Sequence, residues 1–140
     1  MTKEEILEQL RKKVFVRLAP TTNGIGVVAI KDIPKGTDVF EGCMPNIEFV
    51  AVPKNEIDEL EDGVKKLVTD FCPLQDGVYW LPSVGIQAID KSYYLNHSST
   101  PNMVTNDEGE TFITIRDIKK GEELTVDYNT YDEQDDDYKK

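Results

Sequence analysis

With 140 residues, of which 39% are hydrophobic and 31% charged, the chain has the composition of one ordinary globular domain. Its formal net charge of −11 argues against direct binding to nucleic acid, because that affinity comes largely from lysine and arginine on phosphates. No run approaches the roughly 18 apolar residues of a membrane span, and no secretory signal opens the sequence. We therefore expect a soluble intracellular protein, cytoplasmic or, in a eukaryote, nuclear.

The acidity and the few cysteine and histidine residues bear on partners and metals. An acidic surface steers basic partners toward it, but the same charge also serves solubility alone, and the sequence leaves both explanations open. Cys43 and Cys72 lie far apart and His97 is the single histidine, so four zinc ligands cannot be assembled and no metal site is expected. Buried thiols are favoured over a disulfide.

The N-terminal residues predict a helix that gives way to strands. Thr2 and Glu5 have the spacing of a capping box, and an apolar stripe that includes Ile6 and Leu10 follows, so a helix is predicted to end near Lys13. Beyond it, β-branched alternation and short apolar runs predict strands. These strands cover residues 14–18, 25–30, 39–40 and 47–52.

The middle of the chain changes to helical spacing. Six apolar residues between Ile57 and Phe71 fall on one helical face after Asn55, a suitable N-cap. One inserted helix is therefore predicted at about 55–71, with its acidic residues facing solvent. It should end before Pro73, because proline disfavours helix in the preceding residue.

After Pro73 the sequence predicts short strands separated by turns. The run from Asn106 to Gly109 between two apolar segments predicts a hairpin. A last strand is predicted at about Glu123–Tyr128. The sequence beyond Asp132 is almost wholly charged, and this tail is predicted to be disordered.

Two segments of the chain resemble each other. Residues 30–36 read Ile-Lys-Asp-Ile-Pro-Lys-Gly, and residues 115–121 read Ile-Arg-Asp-Ile-Lys-Lys-Gly. Each follows a predicted strand and ends in a lysine-glycine turn before another strand. Similar turns can arise independently, and two copies do not make a repeat protein.

Two of the polar segments suit a binding site. Gly24-Ile25-Gly26 offers a backbone that a polar ligand can approach closely, although a plain turn is the simpler interpretation. It is not a dinucleotide fingerprint, because the third glycine is missing and a strand follows. The run Asn96–Asn102 contains a proline among small and polar residues, so we expect a loop, not regular structure. If it packs into the core, its hydrogen bonds must be satisfied by itself or by a ligand.

Two single residues also carry chemistry. His97, as a lone histidine, is by default a structural, hydrogen-bonded residue, and no serine or thiol hydrolase arrangement is indicated. Tyr128 ends the last predicted strand, where functional side chains often lie. An ordinary tyrosine at the edge of the core is the alternative.

Taken together and in this order, these segments resemble the motifs of the SET-domain protein-lysine methyltransferases. The matching residues are Asn23–Val27, Asn96-His97-Ser98 with Pro101-Asn102, and Glu123-Leu124 with Asp127-Tyr128. Phe40-Glu41-Gly42 looks like a degenerate form of the family's intervening aromatic-x-glycine motif. The resemblance covers about residues 14–131 and is to a minimal form without the cysteine-rich zinc regions that flank many relatives.

The resemblance implies a mostly β fold. In the family this is a clip of short strands with a knot-like crossing near the C-terminus. An N-terminal helix at 1–13 would precede the SET domain at 14–131, which would contain the inserted helix. The acidic tail would occupy 132–140.

The resemblance also implies a cofactor, S-adenosylmethionine, and a lysine substrate. The residues implied to hold the cofactor are Gly24, Ile25, Gly26, Tyr94, Asn96 and His97. Tyr128 would be the catalytic residue beside the transferred methyl group. Val126 and Tyr131 would line the substrate channel. The implied partner is a basic protein or peptide, histone-like or otherwise lysine-rich, with no nucleic acid or membrane and with the oligomeric state left open, a homodimer included.

Departures from the family pattern keep two alternatives open. Ser99 stands where the family usually has cysteine, Tyr93-Tyr94 where it has arginine-phenylalanine, and Val126 where it often has an aromatic residue. A catalytically silent SET-like module that binds basic peptide segments is one alternative. A purely structural β-clip is the other. The number of methyl groups added is not predicted.

Overall fold

Short β-strands make up most of the fold. A computed structural model describes residues 1–42 and 47–134 of the protein. The strands of those residues, β1 to β9, are Val16–Thr21, Gly24–Ala29, Phe49–Pro53, Leu74–Gln75, Val78–Pro82, Asn96–His97, Met103–Val104, Ile113–Thr114 and Glu123–Val126. They form a four-stranded sheet in the order β1-β2-β9-β6, a three-stranded sheet in the order β3-β5-β4, and the pair β7-β8. The predicted mostly β fold class is confirmed, and the knot-like crossing stays a prediction.

The helix at the N-terminus forms as its sequence predicts. Helix α1 spans Lys3–Lys12. The hydroxyl of Thr2 accepts a hydrogen bond from the Glu5 backbone N–H, and the Glu5 carboxylate accepts one from the Thr2 N–H. The apolar stripe, however, faces solvent, with Ile6 44% and Leu10 55% exposed. Capping and short-range propensity therefore account for this helix better than burial does.

The prediction of one inserted helix is wrong. Two helices occupy this region, α2 at Lys54–Asp58 and α3 at Asp62–Phe71. Between them the chain makes a tight turn, since the Leu60 N–H bonds to the Ile57 carbonyl and Glu61 is extended. The predicted Asn55 cap is also wrong, because Pro53 precedes the first helical turn and no side chain caps it.

The break between α2 and α3 changes which residues are buried. Ile57 and Val68 lie in a small core, whereas Leu60, Val64 and Leu67 stay at least 40% exposed. A continuous helix would have aligned all five on one face. The insertion therefore presents apolar side chains to solvent.

The two similar sequence segments pair with each other. Ile33 and Ile118 exchange backbone hydrogen bonds of 2.8 Å in both directions. The Asp117 carboxylate accepts from the Lys35 N–H at 2.8 Å, and the Asp32 carboxylate accepts from the Lys120 N–H at 2.9 Å. The two turns thus form a reciprocal unit, which explains why their sequences match.

Two buried clusters hold the domain together. The larger packs the four-stranded sheet against the paired turns and the hairpin, and includes Val27, Ile33, Leu95, Met103, Ile118, Leu124 and Val126. The smaller packs the insertion on itself and contains Ile57, Val68, Cys72, Leu74 and Tyr79. Cys72 is a free buried thiol, as predicted. Cys43 lies outside the described residues.

Two further strand predictions are corrected. Val39–Phe40 is a turn beside a single bridge between Asp38 and Ile113, because the chain bends there toward the hairpin. The strand predicted at 47–52 begins only at Phe49. The predicted hairpin is confirmed, since Met103 pairs with Thr114 and Val104 with Ile113.

The start of the predicted tail contacts the body of the protein. The Glu133 N–H bonds to the Leu74 carbonyl at 2.8 Å, and the buried Gln134 amide donates to the carbonyls of Thr69 and Cys72. Residues 133 and 134 thus contact the body of the protein, and the disorder predicted for the tail stays a prediction. Residues 135–140 lie outside the described residues. Within the described ranges, no helix is long and apolar enough to cross a membrane.

Candidate active site

Tyr128 lies where strand β9 ends and links two parts of the chain. Its hydroxyl donates a hydrogen bond to the carbonyl of Leu95, the residue before strand β6. Its backbone N–H donates to Nδ1 of His97 at 3.0 Å. The rings of His97 and Tyr128 lie 5.3 Å apart. The predicted catalytic residue is thereby fixed at both its backbone and its side chain.

The phenol of Tyr128 stays protonated at physiological pH. Burial raises its pKa well above the ordinary value of 10.0, and the charges of Asp132, Glu123 and Asp70 raise it further. A phenol with such a pKa is a hydrogen-bond donor and not a base. Burial likewise raises the pKa of the neighbouring Tyr131.

His97 supports Tyr128. Because Nδ1 accepts a hydrogen bond from the Tyr128 N–H, the neutral ring must carry its hydrogen on Nε2. Asp127 Oδ1 lies 3.7 Å from the same nitrogen. We interpret this as proximity and not as an ion pair, because a nitrogen that accepts a hydrogen bond cannot also donate one.

The segment Asn96–Asn102 is partly regular, which corrects the prediction of a loop throughout. Strand β6 runs parallel to β9, with Asn96 opposite Thr125 and His97 opposite Val126. The remainder turns back, and the buried Asn102 bonds to β9 with both ends of its carboxamide. Its Nδ2 donates to the Glu123 carbonyl at 2.8 Å, and its Oδ1 accepts from the Thr125 N–H at 2.9 Å.

Asn96 and the glycine motif, the segment Asn23–Val27, meet at Glu123. The Nδ2 of Asn96 donates to Glu123 Oε2 at 2.7 Å and to the Ile25 carbonyl at 3.3 Å. A Cβ added to Gly26 would collide with the same Glu123 carboxylate and lie 2.9 Å from Asn96 Nδ2. A side chain at Gly26 would therefore displace the Glu123 carboxylate and the Asn96 amide from their present positions. Gly24, by contrast, has a φ of +95° and open space where a Cβ would stand.

A large cavity opens on the other side of Tyr128. Its volume is about 830 Å³. Its aromatic lining residues are Phe49, Phe71, Trp80, Tyr93, Phe112, Tyr128 and Tyr131. Leu95 also lines the cavity, whereas the residues of the glycine motif, Asn96 and His97 do not. Tyr128 thus stands between the cavity and the predicted cofactor residues.

The same cavity is strongly acidic. Its carboxylate residues are Glu48, Asp70, Asp90, Asp107, Glu108, Glu110 and Asp132. Lysine and arginine are absent from its described lining. Seven carboxylates among aromatic side chains favour a cationic occupant, by charge and by cation–π contact.

Residues 24–129 match the sequence model of the SET domain. The chain belongs to the SET-domain family. Histone-lysine N-methyltransferase 2D of Homo sapiens is 32% identical over 129 residues, which cover 83% of this chain and 2% of that protein. The protein of that name from Mus musculus matches to the same extent. The chain thus spans about 2% of the length of these curated relatives.

Solved structures share the fold of this SET domain. A candidate histone methyltransferase from Plasmodium falciparum superposes with a TM-score of 0.51 at 17% identity, over 82% of this chain and 93% of that one. A humanized mutant of the Chaetomium thermophilum Polycomb Repressive Complex 2, bound to an inhibitor, gives 0.54 at 24% identity, over 94% of this chain and 18% of that one.

The other predicted site residues differ in whether they line the cavity. Tyr131 lines the cavity, and its ring packs against those of Tyr128 and Phe112. Val126 is buried in the larger core and does not reach the cavity. Tyr94 packs against Phe71 at 5.1 Å, and Ile25 is half exposed beside the open space at Gly24.

Two groups of residues in the site were missed from the sequence. Glu123 was recognised in a motif but given no role, although the alternation of strand β9 places it on the face opposite Leu124. Most of the aromatic and acidic side chains that line the cavity were not predicted as site residues, because only the tertiary fold brings them to Tyr128. Across the described residues, no cluster of histidine, cysteine and acidic side chains has a metal-binding arrangement.

Proposed function

We propose that this SET domain transfers a methyl group from S-adenosylmethionine to a lysine side chain of a basic protein or peptide. The position of Tyr128 carries the proposal, because it contacts both the residues predicted for the cofactor and the acidic aromatic cavity. The names of its relatives, histone-lysine methyltransferases, support the same reaction. A histone-like substrate would place the protein in the nucleus of a eukaryotic cell.

The residues at the glycine motif fit the cofactor. Both hydrogens of the Asn96 amide are used within the protein, which directs the carbonyl end of the side chain to another partner. The open space at Gly24 gives a polar ligand access to the backbone. We propose that Asn96 and the backbone of Gly24 to Gly26 hold the amino-acid end, and that His97 and Tyr94 adjoin the adenosine. The sulfonium of the bound cofactor supplies an already activated methyl group.

The cavity suits the lysine. A free lysine has a pKa of about 10.4 and must lose its proton before it can attack a methyl group. The carboxylates of the cavity attract the charged form, whereas the buried aromatic surroundings of Tyr128 and Tyr131 disfavour it. We propose that the side chain enters as a cation, loses its proton to solvent as it is desolvated next to Tyr128, and takes the methyl group as a neutral amine, with S-adenosylhomocysteine as the leaving product. The protonated Tyr128 then acts by position and hydrogen bonding, and alignment of the reacting atoms accelerates the transfer.

A second candidate function is a silent module that binds basic segments. The acidic cavity would bind such a segment without transfer, and the departures at Ser99, Tyr93 and Val126 favour this reading. Calorimetry separates the two. Binding of a lysine-rich peptide together with no affinity for S-adenosylmethionine would favour the silent module.

The test of the proposed reaction is transfer of label from S-adenosylmethionine to a panel of basic proteins. Tyr128→Phe should lower kcat about 100-fold, the size expected for loss of one positioned hydrogen-bond donor. Tyr79→Phe, in the smaller core, is the matched control and should keep its activity. Absence of transfer to every substrate, or equal transfer by Tyr128→Phe, would refute the proposal.

A further inference from the structure

Glu123 joins the glycine motif to Asn96 through its carboxylate. Oε2 accepts from Asn96 Nδ2 at 2.7 Å, and Oε1 accepts from Asn23 Nδ2 at 3.3 Å. The same carboxylate fills the space that a side chain at Gly26 would need. One anionic group thus connects two segments that are distant in sequence, the glycine motif and the segment that begins at Asn96.

We infer that Glu123 is a positioning residue that sets the orientation of Asn96 for the cofactor. An ionised carboxylate can only accept hydrogen bonds. Asn96 must therefore turn its amino group toward Glu123 and the Ile25 carbonyl, because the reverse orientation would bring its oxygen against two acceptors. The carbonyl end of Asn96 is thereby turned away from Glu123 and the Ile25 carbonyl before any ligand arrives. This inference rests on the proposed use of S-adenosylmethionine.

The negative charge of Glu123 is essential to this role. Glutamine has nearly the same shape, but its NH₂ would face the NH₂ of Asn96 or of Asn23, and one of these bonds would be lost. The charge of Glu123 also affects Tyr128, because it contributes to the raised pKa of the Tyr128 phenol. Glu122 offers a matched control, because its carboxylate bonds to Arg116 and to the Lys119 N–H, outside the site.

The experiment measures binding of S-adenosylhomocysteine by calorimetry, a readout that needs no methyl transfer. Glu123→Gln should weaken binding at least about 10-fold, the change that a lost charged hydrogen bond produces. Glu122→Gln should bind like the wild type. In an Asn96→Ala background, Glu123→Gln should cause no further loss, because its effect acts through Asn96. If Glu123 only stabilised the fold, Glu123→Gln would lower the unfolding temperature, and its effect on binding would not depend on Asn96.

Three results would overturn the inference. They are wild-type affinity in folded Glu123→Gln, an equal loss in Glu122→Gln, and a full additional loss in the Asn96→Ala background. If Glu123→Gln does not fold, Glu123→Asp replaces it, since the shorter side chain keeps the charge but withdraws it from Asn96. Unchanged affinity in that variant would contradict the inference. A wild-type protein that binds no cofactor would instead refute the proposed function.

Discussion

Asn102 shows how a single side chain can hold a strand in place. Its carboxamide bonds to one carbonyl and one N–H of strand β9, as a neighbouring strand would, and it is 4% exposed. Tyr128 follows three residues after Thr125, whose N–H donates one of these bonds. The position of Tyr128 therefore depends on an asparagine that lies outside the predicted cofactor contacts.

Replacing Asn102 with alanine should destabilise the protein. Two buried backbone groups would lose their partners, and each such loss costs about 1–3 kcal/mol, so we expect the free energy of unfolding to fall by about 3 kcal/mol. Urea unfolding measures this change. Asn106→Ala, in the exposed hairpin turn, is the control and should change stability little. Equal stability of the two variants would show that the two bonds of Asn102 contribute nothing.

At the scale of elements, the paired turns close the larger core. Ile33 and Ile118 face each other at their centre, and both are 1% exposed. Their backbone bonds connect the strands that carry Gly26 and Glu123, since the first turn follows β2 and the second precedes β9. The turns thus help to set the distance between the glycine motif and strand β9.

Truncation of Ile33 or Ile118 should therefore destabilise the protein. Ile33→Ala and Ile118→Ala should each lower the free energy of unfolding by about 2–5 kcal/mol, the range for buried aliphatic residues. Because the residues pair, the double variant should lose less than the sum. Ile115→Ala, at a position 41% exposed, serves as the control. The free energy of unfolding is measured in denaturant. If the loss in the double variant equals the sum of the losses in the two single variants, the two isoleucines are not coupled.

The elements differ in how well the sequence predicts them. Helix α1 and the hairpin were predicted because their signals, the Thr2–Glu5 box and the turn at 106–109, are local. The two-residue strand β6 was missed because its partner β9 lies nearly 30 residues further along, and isolated polar residues carry no strand signal. The break between α2 and α3 was missed because the apolar spacing continues through it, while the turn at Leu60 interrupts the helix.

The candidate site residues were predicted singly and not as a surface. The motifs pointed to Gly26, Asn96 and Tyr128 separately, and in the structure Glu123 contacts Gly26 and Asn96 while Leu95 accepts a hydrogen bond from Tyr128. The acidic aromatic cavity could not be predicted, because its lining residues come from different elements, such as Asp70 from α3 and Trp80 from β5. Val126 shows the opposite case, since its position in a motif suggested a channel and its burial places it in the core.

For the molecule as a whole, buried thiol and phenol groups predict a loss of stability at alkaline pH. Burial raises the pKa of the Cys72 thiol from 9.0 to about 12, and burial raises the pKa of Tyr93 and Tyr128 above 10.0. The folded state therefore holds these protons more tightly than the unfolded chain. The contribution of Cys72 is complete below pH 9.0 and is lost as the pH rises to about 12, whereas that of the two tyrosines begins to be lost only above pH 10.0.

Urea unfolding across this alkaline range measures the effect. The free energy of unfolding should decline steadily above pH 9.0, and Cys72→Ala should make the first part of the decline shallower. The exposed hairpin variant Asn106→Ala should reproduce the wild-type slope. Stability that stays level or rises through this range would contradict the assignment of protonated, buried groups.

The mass of the product reports directly on the proposed methyl transfer to lysine at Tyr128. A lysine-rich peptide and the same peptide with arginine in place of every lysine are each incubated with the protein and S-adenosylmethionine, then analysed by mass spectrometry. We predict that the lysine peptide gains the mass of one or more methyl groups on a lysine side chain, and that the arginine peptide and the Tyr128→Phe reaction remain nearly unmodified. Methylation of the arginine peptide, or a lysine peptide left unmodified by a wild-type protein that binds both cofactor and peptide, would contradict the account.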